Sequence, residues 1–250
     1  EYCRLIEPTS QQGKEDMFLA GENRYAADQS NFSKIPGSPV AYWVSKAFQN
    51  SFTNKTIGEV AKPRQGLATG CNDIFIRFWY EVSPQKVEYH AHSVQETEDT
   101  AKKWFPYNKG GEFRRWYGNN DYVVNWENNG FEIRHFVDEK GKLRSRPQNT
   151  QFYFKRCISW SLISTGKVAF RYKPDGYIFD VSGMSCFSNV NLMYLLALCN
   201  SPVVDAFLAV FSPTINFQAG DIANIPVCVD KEKIETVEKI VSENIHFSKN

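Results

Sequence analysis

The sequence predicts an α+β fold, an irregular β-rich centre framed by helices. Three observations carry that expectation. Between Thr56 and about Ser188, short runs of β-branched and aromatic residues alternate with Gly, Asn and Pro turns. On either side, apolar residues recur at helical spacing. The regular βαβ alternation of a doubly wound parallel sheet is missing.

Taken in order, residues 1–36 are polar and weakly periodic and read as a lead-in segment. Ser38-Pro39 is a good helix start, and Val40, Trp43, Val44, Ala47 and Phe48 then form an amphipathic stripe suited to core packing. Residues 74–82, 121–125, 151–154, 167–172 and 176–181 are examples of predicted strands. Asn119-Asn120, Asn128-Asn129-Gly130 and Pro174-Asp175-Gly176 mark turns. Residues 192–199 and 203–210, separated by Ser201-Pro202, predict a C-terminal helical hairpin or a sharply kinked pair. After a strand-like 225–229, Asp230 can cap a last helix with Ile234, Val237, Val241 and Ile245 on its apolar face. The expected organisation is a lead-in over 1–36, a main domain over 37–229 and a C-terminal helix over 230–250.

Composition is that of an ordinary soluble protein, with 42% apolar and 23% charged residues. Aromatics reach 15%, enough to leave rings for stacking on bases or sugars. The net charge of +1 gives no global case for nucleic acid, so local charge must carry it. The six cysteines form no CxxC pair and predict free thiols in a reducing cytoplasm. No signal peptide is visible. The most apolar stretch, 192–211, is interrupted by Asn200, Ser201, Pro202 and Asp205, which argues against a membrane partner. A start on Glu1 and an end at Asn250 suggest a fragment of a longer protein.

Several chemistries are missing their motifs. There is no GxGxxG, no GxxxxGK[ST] and no GxSxG. His90 and His92 share one side of a strand but lack further ligands, so no metal is expected. Glu112, Asp121, Glu127 and Glu132 read as surface charge rather than paired glycosidase carboxylates. A DNA amino-methyltransferase needs Asn or Asp, two prolines and an aromatic to hold a flipped base, and this chain has no Pro-Pro. No catalytic residue is therefore assigned.

Local charge is more informative. Between Lys140 and Pro174 stand nine basic residues and no acid. They are Lys140, Lys142, Arg144, Arg146, Lys155, Arg156, Lys167, Arg171 and Lys173, interleaved with Phe152, Tyr153, Phe154, Trp160, Phe170 and Tyr172. Lys and Arg neutralise phosphates, and Arg, Asn and Gln can pair with base edges. A second cluster combines Lys102, Lys103 and Lys109 with Gly110, Gly111, Arg114 and Arg115. A third is the glycine-punctuated loop 62–73.

Gly66-Leu67-Ala68-Thr69-Gly70, with Asn72-Asp73 and Phe75, resembles the opening signature of TaqI-like specificity domains. Residues 217–227 resemble the closing motif of many target-recognition domains. Trp104-Phe105-Pro106-Tyr107-Asn108-Lys109-Gly110-Gly111, Trp116-Tyr117-Gly118 and Val124-Asn125-Trp126-Glu127-Asn128 resemble the BREX phage-defence methyltransferases. Arg146-Pro147-Gln148-Asn149-Thr150 and Ile158-Ser159-Trp160-Ser161 fit the same family. Cys71 departs from the small or acidic residue often found there.

The resemblance spans about Ile35 to Val229. It implies the specificity domain of an adenine-specific DNA methyltransferase, with S-adenosylmethionine bound by an upstream Rossmann-like catalytic domain. Implied partners are double-stranded DNA, the parent methyltransferase domain and other phage-defence subunits. The expected DNA contacts are Arg64, Gln65, Thr69, Asn72, Lys109, Arg114, Arg144, Arg146, Gln148, Asn149 and Arg156, with Lys102, Lys103, Lys155 and Lys173 on phosphates. A protein-interaction module docking defence subunits, or a carbohydrate-binding domain, are the alternatives.

Overall fold

The computed structural model describes residues 1–98, 100–188 and 191–249, with Phe211 as backbone only. The chain divides into two compact units, Glu1–Lys55 and Thr56–Asn250.

In the first unit, β1 (Tyr2–Cys3) pairs antiparallel with β2 (Arg24–Tyr25), and α1 (Gln11–Leu19) lies between them in sequence. Ser10 caps α1 by accepting from Gly13 N at 3.0 Å. Tyr2 stacks on Tyr42 at 4.6 Å and meets Phe32 edge-on. The helix expected from Ser38-Pro39 begins later, as α2 (Lys46–Ser51), with Ser45 Oγ accepting from Phe48 N. Gly37 and Ser38 both have positive φ, and a residue before proline avoids helical values. Val40 is 57% exposed, so the stripe is not a buried face.

The second unit opens with α3 (Ile57–Val60), whose start is closed by Thr56 N donating to Glu59 Oε2 at 2.6 Å. Its strands are β3 (Lys62–Arg64), β4 (Ile76–Phe78), β5 (Trp104–Asn108), β6 (Tyr122–Asn125), β7 (Cys157–Ser161), β8 (Arg171–Lys173), β9 (Ile178–Phe179) and β10 (Gly183–Phe187). They form two four-stranded sheets, β3-β10-β7-β8 and β4-β6-β5-β9, antiparallel except for the β5–β9 pair. The α+β expectation holds. Of the strands expected, 74–82 shrinks to β4 between the short helix α4 (Asn72–Phe75) and a 3-10 turn, and 151–154 falls in a 3-10 turn over Thr150–Phe152. All residues of β5 and β10 are buried. Strands buried on both faces show no alternation, which is why they lack the usual sequence signal.

Asn108, 1% exposed, ties the two sheets together: Nδ2 donates to Ser159 Oγ at 2.7 Å and to Gly183 O at 3.0 Å. Over Glu127–Arg134 (α5), Asn128, Asn129 and Gly130 all take left-handed φ values of 49°, 57° and 70°, as the turn signal indicated.

The apolar stretch forms α6 (Leu192–Cys199) and α7 (Pro202–Phe211), bent by 66°. It is the kinked form of the pair, not an antiparallel hairpin. Asn200, 6% exposed, is part of the fold: its Oδ1 accepts from Phe170 N and its Nδ2 donates to Phe170 O. No single helix among the described residues is long and apolar enough to cross a membrane, although the bent pair passes that test by length and composition. After α8 (Ala219–Ala223), Asp230 caps a 3-10 turn leading into α9 (Ile234–Phe247), which lies against α6 with Val241 and Ile245 buried.

Candidate nucleic-acid interface

Residues 65–70 and 144–149 run side by side as a two-segment ribbon. Ala68 and Arg146 exchange backbone hydrogen bonds at 3.1 and 2.8 Å, Gln148 Nε2 donates to Gly66 O at 3.1 Å, and Asn149 Nδ2 donates to Gln65 O at 2.9 Å. On the other side, Leu67 N donates to Phe179 O at 2.8 Å. Both glycines of the first segment are sterically required. A Cβ on Gly66 would lie 1.9 Å from Phe179 O, and Gly70 has φ 79° against the Arg144 backbone.

Arg144 and Arg146 project from this ribbon, exposed. Gln65, Gln148 and Asn149 are half-buried, and the last two turn their amide nitrogens onto main-chain carbonyls. A bidentate grip on a base edge needs a free amide face. Gln148 and Asn149 thus position the ribbon rather than offer that face.

At one end, Phe152 stacks on Phe187 at 4.7 Å and is surrounded by three cations. Lys62 Nζ lies 6.0 Å from its ring centroid, and Arg64 Cζ and Lys155 Nζ each lie 5.8 Å from it. Lys62, Lys155 and Arg156 line an adjoining cleft of about 700 Å³ that also holds Glu59 and Asp175. Among the described residues, Lys62, Arg64, Lys155 and Arg156 form no ion pair. The aromatic ring offers each cation only about 0.5–1 kcal/mol, so the four cations, set against Glu59 and Asp175, leave a net positive field suited to an anion.

At the other end, Thr69 is buried and its Oγ1 donates to Asn72 Oδ1 at 2.8 Å, so it orients the exposed Asn72. Lys109 stands between hollows of about 210 and 360 Å³, both also lined by Asn72.

The remaining expected contacts lie apart from the ribbon. Lys103 reaches Glu127 at 3.8 Å and Glu132 at 3.5 Å, and Lys102 Nζ donates to Gln85 O. Arg114 is exposed beside Gly118, and its carbonyl accepts from Arg171 Nη1. Lys173 is a correction: it is 0% exposed and cannot meet a phosphate. Its Nζ donates to Gly118 O, Asn119 O and Asn120 Oδ1. Arg171, from the same acid-free run, is also buried, at 1% exposed. The run missed this because a strand sends alternate side chains to one face, and Arg171 and Lys173, two apart, share the covered face of β8 while Tyr172 on the other face is half-buried. Lys62 and Phe152 were not selected from the sequence as contacts. The alternation Lys62-Pro63-Arg64 could have placed both cations on one face, but nothing local brings Phe152 to them.

Burial, helped by the Arg171 charge, lowers the Lys173 pKa from 10.5 to about 7. The unfolded chain holds the extra proton between those values, so stability should rise with pH from about 7, at up to about 1.4 kcal/mol per unit. Burial raises the thiols of Cys157 to about 11 and Cys199 to about 12, so they stay neutral when folded and ionise on unfolding, which reverses the trend above about pH 9. Urea midpoints measured from pH 6.5 to 10 should peak near 9. Lys173→Met should remove the rise, and a peak at neutral pH would contradict the lowered Lys173 pKa.

Among the described residues, no group of three or more His, Cys, Asp or Glu side chains could hold a metal ion. No protein-family model matches the chain. It is 39% identical over 254 residues to "Adenine-specific methyltransferase PglX" of Lacticaseibacillus casei (strain Zhang), an alignment covering 96% of the chain and 21% of that protein. It is 33% identical over 245 residues to "Adenine-specific methyltransferase BrxX" of Escherichia coli O9:H4 (strain HS), covering 96% of the chain and 19% of that protein. The chain thus spans about a fifth of the length of these curated relatives. Over nearly its whole length, it is homologous to one region of adenine-specific methyltransferases.

Proposed function

We propose that this chain recognises the DNA target sequence for a site-specific adenine methyltransferase of a BREX-type phage-defence system acting in the cytoplasm. The observation carrying this reading is the ribbon of 65–70 and 144–149, with the unpaired cations around Phe152 at one end and Lys109 with Asn72 at the other. The methyltransferase relatives support it, as does the family resemblance of the ordered motifs. In this reading Lys62, Arg64, Lys155 and Arg156 grip phosphates, and the exposed guanidiniums of Arg144 and Arg146 reach base edges. Methyl transfer from S-adenosylmethionine belongs to another domain of the longer enzyme. Tight flanking contacts made here would offset the few kcal/mol needed to extrude the target adenine.

The test is fluorescence anisotropy of labelled duplex DNA with the chain across a NaCl series. Three or more phosphate contacts give a fall of log affinity against log salt with slope near −3. A flat response, or no binding by both this chain and the full-length enzyme, would sink the reading.

A further inference from the structure

We propose that Phe78, Tyr80 and Tyr122 form a stacking platform for an unpaired DNA base, with Asn72 and Lys109 as its polar rim. The inference rests on the DNA reading above and adds a second mode of contact to it. Antiparallel pairing sets Phe78 opposite Tyr122, and the two rings stack at 4.8 Å and 26°. Tyr80 continues the pile on Phe78 at 5.2 Å and 7°. Such ring pairs usually finish inside a core; this one runs outward, with Tyr80 65% exposed and its edge-on neighbour Trp79 52% exposed. The last ring therefore offers water a surface that another planar ring would cover.

The hollow of about 360 Å³ beside the pile shows which planar ring suits it. Phe78 and Tyr122 form its aromatic wall, and Asn72, Asp73, Arg77, Glu81 and Lys109 supply polar groups. Thr69 donates to Asn72 Oδ1, which leaves the Asn72 amide nitrogen as a donor. Lys109 forms no ion pair among the described residues. Donors and carboxylate acceptors beside stacked rings match a nucleobase, which has both kinds of edge group and two π faces. A phosphate alone has no use for the rings, and Asp73 and Glu81 offset the charges of Arg77 and Lys109. Position agrees, because Gly70, against which the Arg144 backbone packs, leads directly into Asn72 at the end of the ribbon. A paired base keeps its faces stacked on its neighbours, so the occupant is a base out of the helix.

The probe pair is a fully paired duplex and the same duplex with one unpaired adenine bulge, titrated against the whole chain. The chain should prefer the bulged duplex by about tenfold, from a stacking contribution of about 1–3 kcal/mol per base. Tyr80→Ala should abolish that preference and leave paired-duplex affinity unchanged, while Tyr80→Phe should retain it. Equal binding of both duplexes by the unaltered chain overturns the platform and leaves the DNA reading intact. So does a Tyr80→Ala chain that keeps the preference. Binding of neither duplex, by this chain and by the full-length enzyme alike, overturns both. If Tyr80→Ala changes the oligomeric state while the bulge preference persists, the patch is a protein interface and the proposal fails.

Discussion

Gly66→Ala is expected to cost about 3 kcal/mol or more and to lower the urea midpoint sharply. An added Cβ would sit 1.9 Å from Phe179 O and 2.6 Å from its carbonyl carbon. No rotamer relieves a clash with backbone, so one of the two chains must move, and such overpacking costs about 1–3 kcal/mol or more. Moving 65–68 breaks the bond from Leu67 N to Phe179 O and disturbs the Ala68–Arg146 pairing. DNA binding should fall with the fold. Gly166→Ala is the matched control, since a Cβ there meets nothing within 4 Å, and it should leave stability within about 0.5 kcal/mol. Equal effects of the two changes would show that the close approach at Gly66 does not exist.

The triple change Lys62→Ala, Arg64→Ala, Lys155→Ala should weaken duplex binding by about two orders of magnitude at 0.15 M salt. Each phosphate contact contributes about 0.9 to the slope of log affinity against log salt, so three together account for about 2.7. The loss should shrink towards none near 1 M salt, and the slope should become shallower by about the same 2.7. The fold should survive with a thermal midpoint lower by only several degrees, because the three cations have no acidic partner and each loses only about 0.5–1 kcal/mol over the Phe152 ring. Lys103→Ala is the contrast: Lys103 faces Glu127 and Glu132, and its removal should leave the slope unchanged. An unchanged slope in the triple variant would remove the Phe152 cluster from the interface.

Much of the fold was legible because local chemistry and tertiary structure agreed. Asn128-Asn129-Gly130 announced a turn, which the structure makes left-handed, and Leu192 to Phe211 announced two helices with a break at Ser201-Pro202. The helix expected from Ser38 failed where two readings competed: the spacing of Val40, Trp43 and Val44 looked helical, but Gly37-Ser38-Pro39 set a backbone that cannot start one there. β5 and β10 lacked an alternating signal because every residue in them is buried.

The candidate site divides in the same way. By itself, the sequence determined that the chain is α+β, that it lacks Pro-Pro and the common phosphate loops, and that its positive charge concentrates over Lys140 to Pro174. Those properties follow from residue identity and short-range spacing. Only the tertiary structure decided which of those charges face water. It buried Lys173 and Arg171 on the covered face of one strand, spent Lys103 on two glutamates and turned Gln148 and Asn149 inward. It also gathered Lys62, Arg64 and Lys155 around Phe152, about 90 positions along the chain from the first of them. Burial and long-range pairing set the cost of exposing or hiding a charge, and neither is a property of a residue's neighbours in sequence.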